Sequence, residues 1–287
     1  PRAGRHVGRY GAHLAVGNDL FLQHVAQTSD MPLALEVQNA TGIYITDTSG
    51  KVYIDLISGI GVSSLGHCHP AVVQAIQLQA QQYMHTMVYG EHIQQPQVAL
   101  ASLLTSVLPQ KLNSVYFTNS GAEATEGAMK LAKRVTGKSK IIAFKNAYHG
   151  STQGALSLMG DEYWRNAFRP LLPDILHLDY NSASALDALD GNTACVVMET
   201  VQAESGIIKP DAIWIKAIAE KCKALGVLLI LDEIQAGFGR TGSLWAFEQY
   251  GIIPDILLLG KALGGGMPLG AFISSHQMMA SLTNNPV

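Results

Sequence analysis

The sequence predicts an α/β protein in which helices cover both faces of a mostly parallel β-sheet. From Ser114 onward, short aliphatic or β-branched runs alternate with longer helical patterns, which is typical of parallel sheets. Polar residues directly follow five of these runs, and ligands of such sheets bind beyond the carboxyl ends of the strands. With 48% hydrophobic and 14% charged residues, the composition fits a soluble protein with a substantial core.

Residues 1–70 are predicted to form an N-terminal arm and a segment of a small α+β domain. The leader as far as Asp19 has three arginines but lacks the apolar core of a signal peptide, so we interpret it as a flexible arm. The stretch IYITDTSGKVYIDL predicts two strands around a Ser-Gly turn. The first element beyond this segment is a helix predicted over residues 70–83, after the turn GHCHP.

Residues 71–287 are predicted to form the large domain that contains the sheet. Ser120 is a good N-cap for a helix whose apolar residues recur at i, i+3, i+4 and i+7. A second helix is expected from Ile213 to Ala224. The expected strands are SVYFT, IIAF, ILHL, ACVVME, LLILD and ILLLG.

Composition and spacing argue against several classes of partner. The formal net charge of −3, without a basic run with interleaved aromatic residues, gives no reason to expect nucleic acid. No apolar run approaches the roughly 20 residues that span a bilayer, so we expect no membrane partner. His67-Cys68-His69 has no second ligand cluster, so we expect no metal. The three cysteines form no CxxC pair, which favours a reducing compartment, the cytoplasm.

The segment LLILDE places Asp232 and Glu233 at the end of an apolar strand. An unpaired carboxylate in such a place is costly to bury, or its pKa rises until the group is neutral. We therefore expect a cationic partner for one of these acids.

Three further strand ends offer groups that complement this carboxylate. The helix start Asn119-Ser120-Gly121 can bind an anion through free N–H groups and the helix dipole, although an ordinary capped helix has the same pattern. Lys261 lies beside a run of three glycines, and a partly desolvated lysine can form a Schiff base. Tyr148 adds an aromatic ring. Together these groups match the phosphate, aldehyde, ring and pyridine nitrogen of pyridoxal 5'-phosphate, so Asp232 is expected to pair with the cofactor rather than with a side chain.

The chain resembles the class III aminotransferases of pyridoxal phosphate (PLP) fold type I, the group of ornithine, acetylornithine and 4-aminobutyrate aminotransferases. The resemblance extends from about Ile43 onward. It lies in GHCHPAVV, FTNSGAEATEGAMKLAK, AYHGST, ETVQAESG, DEIQAGFGRTG and GKALGGGMPLGA. It implies a fold type I large domain, a small α+β domain that is incomplete in this chain because its C-terminal part is absent, and a homodimer with the site at the interface.

The resemblance also implies a role for each matching residue. Lys261 is the Schiff-base lysine, and Asp232 pairs with the pyridine nitrogen. Glu204 is a gate carboxylate of glutamate-using members, and Ser151 and Ile60 occupy substrate-binding positions. The full cofactor-binding set is Ser120, Gly121, Ala122, Tyr148, His149, Glu199, Val201, Asp232, Gln235 and Lys261.

Departures from the family pattern concern mainly the substrate. Thr200 replaces a proline, and Ala203 replaces a glycine before the gate carboxylate. Ser151 stands where ornithine and acetylornithine enzymes have an arginine that binds the substrate α-carboxylate, and Ile60 replaces a tyrosine of the ornithine enzymes. These last two changes predict an ω-amine donor whose reacting amine is remote from any carboxylate.

The predicted function is amino-group transfer by a ping-pong Schiff-base mechanism, from an ω-amine or amino acid to an oxo-acid such as 2-oxoglutarate. The main alternative is an isomerase of the same fold, either an aminomutase or an amino-acid racemase. A nicotinamide-dependent dehydrogenase is weaker because no GxGxxG follows a strand and opens a helix. A non-catalytic binding protein leaves the joint presence of Lys261 and Asp232 unexplained.

Overall fold

The structure, a computed structural model, describes residues 15–87, 90–283 and 285 and comprises two compact units. Unit 1 consists of the chain up to Ser58 together with Leu65–Gln74, and unit 2 consists of Gly59–Ser64 together with the chain from Ala75 onward. This division differs from the predicted boundary after residue 70, because the helix that begins at Pro70 extends from unit 1 into unit 2.

Unit 1 contains a helix and a three-stranded antiparallel sheet. The strands are β1 (Val37–Thr41), β2 (Tyr44–Asp47) and β3 (Val52–Ile54), in the order β1-β2-β3. Strands β2 and β3 confirm the predicted pair, and the Asp47 carboxylate accepts the N–H groups of the turn residues Ser49 and Lys51 at 2.9 and 3.0 Å. Helix α1 (Ala15–His24) includes residues 15–19 of the predicted arm and extends beyond it. The earlier part of that arm, residues 1–14, lies outside the described residues.

The GHCHP segment is a structural turn. Gly66 has a φ of 80°, and a Cβ atom there would lie 2.9 Å from the carbonyl oxygen of Gly42. His67 is paired through Nε2 with Asp55 at 2.7 Å. Across the described part of the chain, His, Cys, Asp and Glu side chains form no group of three that could hold a metal.

Unit 2 contains a seven-stranded sheet of the order β4-β10-β9-β8-β7-β5-β6. The six predicted strands are all present, and β10 is an addition that runs antiparallel between β4 and β9. Their bounds are β4 Ser114–Thr118, β5 Lys140–Phe144, β6 Ile175–Leu178, β7 Thr193–Glu199, β8 Leu228–Asp232, β9 Ile256–Leu259 and β10 Gly270–Ser274.

Most helices of the described residues lie in unit 2. The helix predicted from Ser120 begins at Gly121, and the helix predicted near Ile213 begins at Ala212. The bounds are α2 Ser58–Gly61, α3 Pro70–Gln82, α4 Gln95–Ser106, α5 Gly121–Thr136, α6 Gln153–Leu158, α7 Glu162–Arg165, α8 Ala183–Ala188, α9 Ala212–Leu225 and α10 His276–Met279. Short 3-10 helices lie at 166–168, 246–250, 261–264 and 280–282. No helix among 15–87, 90–283 and 285 has the length and apolarity to cross a membrane.

The core of unit 2 lies on both faces of the sheet. Ile142 and Phe144 of β5 pack into one apolar cluster, whereas Ile141 and Ala143 of the same strand pack into a second. Because successive strand residues point to opposite faces, this division means that both faces are buried. Because both faces of the sheet are covered by apolar side chains, polar side chains can come together at the carboxyl ends of the strands.

Candidate functional site

A cavity of about 250 Å³ lies in unit 2 at the carboxyl ends of the strands. It brings together residues from the segments that follow β4, β5, β7, β8 and β9. Its lining consists of Ser120, Gly121, Ala122, Tyr148, His149, Gly150, Ser151, Glu199, Val201, Glu204, Asp232, Ile234, Gln235, Ala236 and Lys261. Every residue predicted for the site therefore lines this cavity, except Ile60.

The N-terminus of α5 forms one end of the cavity. Ser120 is the N-cap, and its hydroxyl oxygen accepts the N–H of Glu123 at 3.1 Å. The first N–H groups of a helix have no acceptor within it, so those of Gly121 and Ala122 can bind an anion together with the helix dipole. The Ser120 hydroxyl can still donate its proton.

Lys261 follows β9, and its amino group donates a hydrogen bond to Oε1 of Gln235. Burial lowers the pKa of Lys261, against the opposing charges of Glu204, Asp232 and Glu199. The backbone of Lys261 has a φ of 46°, a left-handed conformation that costs a residue with a side chain about 1–2 kcal/mol. Strain of this kind concentrates at functional sites, and a lowered pKa makes the amine a better nucleophile.

Asp232 ends β8 and is paired with a side chain, contrary to the sequence-based expectation that its partner is the cofactor alone. Its Oδ2 lies 2.7 Å from Nδ1 of His149, and its Oδ1 accepts the N–H of Ile234 at 2.9 Å. Burial alone would lower the pKa of His149, but the hydrogen bond and the charge of Asp232, with the charge of Glu199, raise it. Both side chains are almost completely buried, so a protonated imidazole and a carboxylate stabilise each other here.

Glu199 ends β7 opposite Asp232 in the sheet register. Its carboxylate accepts the N–H groups of Tyr148 at 2.7 Å and of Ala203 at 2.8 Å. Burial raises the pKa of Glu199 to about 6, although the charge of His149 and both hydrogen bonds oppose the rise. Glu199 therefore links the segments that follow β5 and β7 on the cavity wall.

Glu233, the second acid of the strand end, has no cationic partner among the hydrogen bonds and ion pairs of the described residues. Its carboxylate accepts the N–H groups of Ala246 and Phe247 at 2.8 and 2.7 Å and the hydroxyl of Thr200 at 2.9 Å. Burial raises the pKa of Glu233 to about 7 in spite of these three donors. The expected cationic partner thus belongs to Asp232 and not to Glu233.

The other residues predicted for the site differ in their exposure and in whether they line the cavity. Tyr148 is 43% exposed and lies at the cavity mouth, whereas Val201 is 8% exposed and forms an apolar wall. Ser151 and Glu204 are exposed side chains on the lining. Ile60 does not line the cavity. Its neighbour Gly61 is nearby, because a Cβ atom added there would lie 3.8 Å from Cγ of Gln235.

The residues present fit pyridoxal 5'-phosphate. The donors at the start of α5 suit its phosphate, and Lys261 suits its aldehyde. Asp232, held by His149, supplies a carboxylate for the pyridine nitrogen. Val201 and the segment after β8 supply apolar walls for a flat ring. The chemistry of this donor set, rather than any single residue, matches the cofactor.

Gly150, Ile234 and Ala236 line the cavity but were not predicted as site residues. Gly150 directly follows His149, and Ile234 and Ala236 lie in DEIQA beside Asp232 and Gln235, so their proximity to predicted residues is the signal that could have found them. Ile234 also sets a steric limit on the start of α5, because a Cβ atom on Gly121 would lie 2.7 Å from its Cδ1 atom.

Comparison with known proteins identifies one family. The family model described as Aminotransferase class-III matches residues 25–285. The acetylornithine aminotransferase of Methanopyrus kandleri is 44% identical over 83% of this chain and 61% of its own length. The acetylornithine aminotransferase of Bacillus cereus is 43% identical over 87% and 64%, respectively. A transaminase of Sulfurisphaera tokodaii, named for [LysW]-aminoadipate semialdehyde and glutamate semialdehyde, is 40% identical over 83% and 61%.

Solved structures agree with this relationship. An ornithine aminotransferase from Toxoplasma gondii, described with partial occupancy of PLP at its active site, aligns with a TM-score of 0.86 and 32% identity. The alignment covers 94% of this chain and 65% of that one. A transaminase from the marine bacterium Virgibacillus aligns with a TM-score of 0.85 and 28% identity over 94% and 67%. The predicted fold type I architecture is thereby confirmed. The chain spans less than two thirds of the length of the three curated aminotransferases named above.

Proposed function

This chain belongs to the class III aminotransferase family, and from this premise we propose that it is a PLP-dependent transaminase that moves an amino group from a primary amine to an oxo-acid. The cavity that joins Lys261, Asp232 and the N-terminus of α5 is the observation that carries this proposal. When bound, the cofactor supplies an electron-accepting ring that stabilises negative charge on the substrate carbon.

The residues that line the cavity have separate roles in binding the cofactor. Ser120, Gly121 and Ala122 bind the phosphate at the start of α5. Asp232 would accept a hydrogen bond from the protonated pyridine nitrogen, and His149 keeps Asp232 oriented through their contact of 2.7 Å. These residues would hold the cofactor in place before the substrate enters.

Lys261 is the nucleophile and the proton carrier of the proposed reaction. Its lowered pKa leaves more of the amine unprotonated at neutral pH, which favours both nucleophilic attack and general-base catalysis. Gln235 accepts a hydrogen bond from this amine and holds it in the cavity. The family resemblance implies that Gln235 would contact the ring hydroxyl of the cofactor.

The substrate proposal rests on Glu204 and Ser151. The family resemblance makes Glu204, on the cavity lining, the gate carboxylate of glutamate-using members, which favours glutamate and 2-oxoglutarate as one substrate pair. Ser151 offers no positive charge, which favours a donor whose reacting amine is remote from a carboxylate. The names of the relatives favour a second candidate, acetylornithine. Initial rates with both donors, each against 2-oxoglutarate and pyruvate, discriminate between the two.

The protein is further proposed to act as a homodimer in the cytoplasm, with the site at the subunit interface. Leu56, Met84 and Ile93 are 85–90% exposed, and contact with a second copy would remove apolar side chains of this kind from water. Cys68, Cys195 and Cys222 are free thiols, which suits a reducing compartment. Light scattering during size exclusion measures the mass and contradicts the dimer if it returns a monomer.

Replacing the proposed Schiff-base lysine tests the function directly. We expect Lys261→Ala to retain PLP through α5 and Asp232 but to lose the covalent link and all transfer of the amino group. After borohydride reduction and denaturation, mass spectrometry should find the cofactor on the Lys261 peptide of the unsubstituted protein and on no peptide of the variant.

Lys145→Ala is the matched control, because Lys145 also follows a strand but pairs with Asp179 at 2.9 Å and does not line the cavity. Cofactor on another lysine peptide contradicts the assignment of Lys261. An isomerase of the same fold would convert its substrate without an oxo-acid, so product formation that is independent of 2-oxoglutarate would favour that alternative.

A further inference from the structure

Thr200 and Glu233 form a completely buried pair beside the cavity, and neither residue lines it. Both residues have 0% exposure, and the Thr200 hydroxyl donates to Oε1 of Glu233 at 2.9 Å. The same carboxylate accepts two N–H groups at the start of the 3-10 helix 246–250. Glu233 therefore joins three segments of unit 2 through one buried carboxyl group.

The pair lies one residue beyond the two acids of the proposed cofactor site. Glu199 and Asp232 face each other as the last register partners of β7 and β8. Thr200 and Glu233 directly follow them, and the N–H of Thr200 donates to the carbonyl oxygen of Asp232 at 3.3 Å. A change in the distance between Thr200 and Glu233 thus changes the ends of both strands together.

The two acids of the cavity depend on these strand ends. Glu199 holds the N–H of Tyr148, and Asp232 holds His149, so a shift between β7 and β8 would move the adjacent residues 148 and 149 relative to α5. No other hydrogen bond between side chains of the described residues connects the segments that directly follow β7 and β8. The Thr200 hydroxyl is therefore the contact whose removal should loosen this junction.

We propose that the Thr200–Glu233 hydrogen bond is a positioning clamp that holds Asp232 and Glu199 at the spacing the cofactor requires. This inference rests on the proposed function, because it assumes that Asp232 binds the pyridine nitrogen. Thr200 and Glu233 touch neither cofactor nor substrate and act through their neighbours.

The clamp is tested by removing only the hydroxyl. Thr200→Val keeps the shape of the side chain, and Thr200→Ser keeps the hydroxyl. We expect Thr200→Val to raise the dissociation constant for PLP about 3- to 10-fold, in the range of the net contribution of an ordinary hydrogen bond. Thr200→Ser should stay within about twofold of the unsubstituted protein. Titration followed by the visible absorbance of the bound cofactor provides the constants.

Thr193→Val is the matched control. Thr193 begins the same strand, has 0% exposure, and donates its hydroxyl to Asp190 at 3.1 Å, at the end of β7 that is remote from the cavity. This variant should lose stability without a change in cofactor affinity. If Thr200→Val does not fold, Thr200→Ala removes the hydroxyl without placing an apolar methyl group against the Glu233 carboxyl group.

The outcomes separate the two proposals. Cofactor binding by the unsubstituted protein with equal dissociation constants in all variants overturns only the clamp. Equal weakening by Thr193→Val and Thr200→Val, or failure of Thr200→Ser to preserve affinity, also overturns it, since the effect is then a general loss of stability or of shape. If the unsubstituted protein binds no PLP, both the clamp and the proposed function are overturned.

Discussion

Asp232 is the residue whose surroundings constrain the proposed chemistry most. Its two oxygens already accept hydrogen bonds from His149 and from the N–H of Ile234, so its orientation is fixed before any ligand binds. A fixed charge is effective because it needs no reorganisation during the reaction.

Asp232→Asn keeps the shape of the side chain and removes its charge. We expect kcat to fall by about 10²-fold, in line with the loss of other preorganised charges. Asp255→Asn is the control, because Asp255 precedes β9 and accepts the N–H of Leu229 away from the cavity. Steady-state kinetics provide the comparison. Weaker PLP binding with unchanged kcat would make Asp232 only an anchor.

Ser151 permits a second test at the residue scale, one that concerns specificity. Ser151→Arg would supply a cation for a substrate carboxylate, and a charge-assisted hydrogen bond of this kind is worth about 1.5–3 kcal/mol, or one to two powers of ten in specificity. The kcat/KM ratio of acetylornithine to an ω-amine without a carboxylate should rise accordingly. A ratio that does not change, or a preference of the unsubstituted protein for acetylornithine by tenfold, contradicts the hypothesis.

Much of the site could be predicted from residues that end strands, but their mutual contacts could not. His149 and Asp232 are 83 positions apart in sequence, and only the adjacency of β5, β7 and β8 in the sheet brings them together. The hydrogen-bond donors of Glu233 are also distant in sequence. They are the hydroxyl of Thr200 and two N–H groups of a 3-10 helix that no periodic pattern in the sequence indicates. Residue type predicted the chemistry, whereas tertiary structure determined the partners.

At the scale of elements, the six strands with aliphatic runs could be predicted, but β10 could not. Its sequence GAFIS has only a short apolar run, and no helical pattern separates it from β9. It is nevertheless completely buried between β4 and β9. Because it runs antiparallel to both neighbours, it needs no crossover helix, and the alternation of strands and helices gives no signal for it.

Helix α5 packs against β10 through Gly127, and this contact predicts a steric limit. A Cβ atom on Gly127 would lie 2.4 Å from Cε1 of Phe272, whose ring is completely buried. We expect Gly127→Ala to destabilise the fold by about 1–3 kcal/mol through overpacking, although alanine is the better helix former. Chemical denaturation measures the change.

A smaller side chain on β10 should relieve this overlap. In a double-mutant cycle, Gly127→Ala combined with Phe272→Leu should be less destabilised than the sum of the two single variants, because they share one contact. Additive effects would mean that the ring moves aside without cost and that the packing of α5 on β10 is loose.

At the scale of the whole molecule, two buried acids make stability depend on pH in an unusual direction. The pKa is raised to about 6 for Glu199 and to about 7 for Glu233. The pKa values of four other acids of the described residues are lowered: Asp47, Asp55, Glu162 and Asp190. Glu199 and Glu233 therefore affect the stability of the fold at higher pH than the four acids with lowered pKa values do.

The signs follow from proton uptake. Since Glu199 and Glu233 bind protons more tightly when folded, their contribution is full below the unfolded pKa near 4.5 and is lost as pH rises towards 6 and 7. The group with lowered pKa values loses its contribution only as pH falls below about 4. The contribution of Glu233 alone is therefore expected to lower stability by about 2 kcal/mol between pH 5 and pH 7.5.

Glu233→Gln separates this contribution from the rest of the fold. The variant should be less stable overall, because an amide cannot accept all three of the present hydrogen bonds, but its stability should vary less between pH 5 and 7.5. Glu162→Gln is the control, because the Glu162 carboxylate is exposed and has a lowered pKa, so it should leave the slope in this range unchanged. Denaturation midpoints measured without added cofactor supply the slopes. Parallel slopes in Glu233→Gln and the unsubstituted protein would mean that Glu233 stays ionised across this range, with its three donors outweighing the effect of burial.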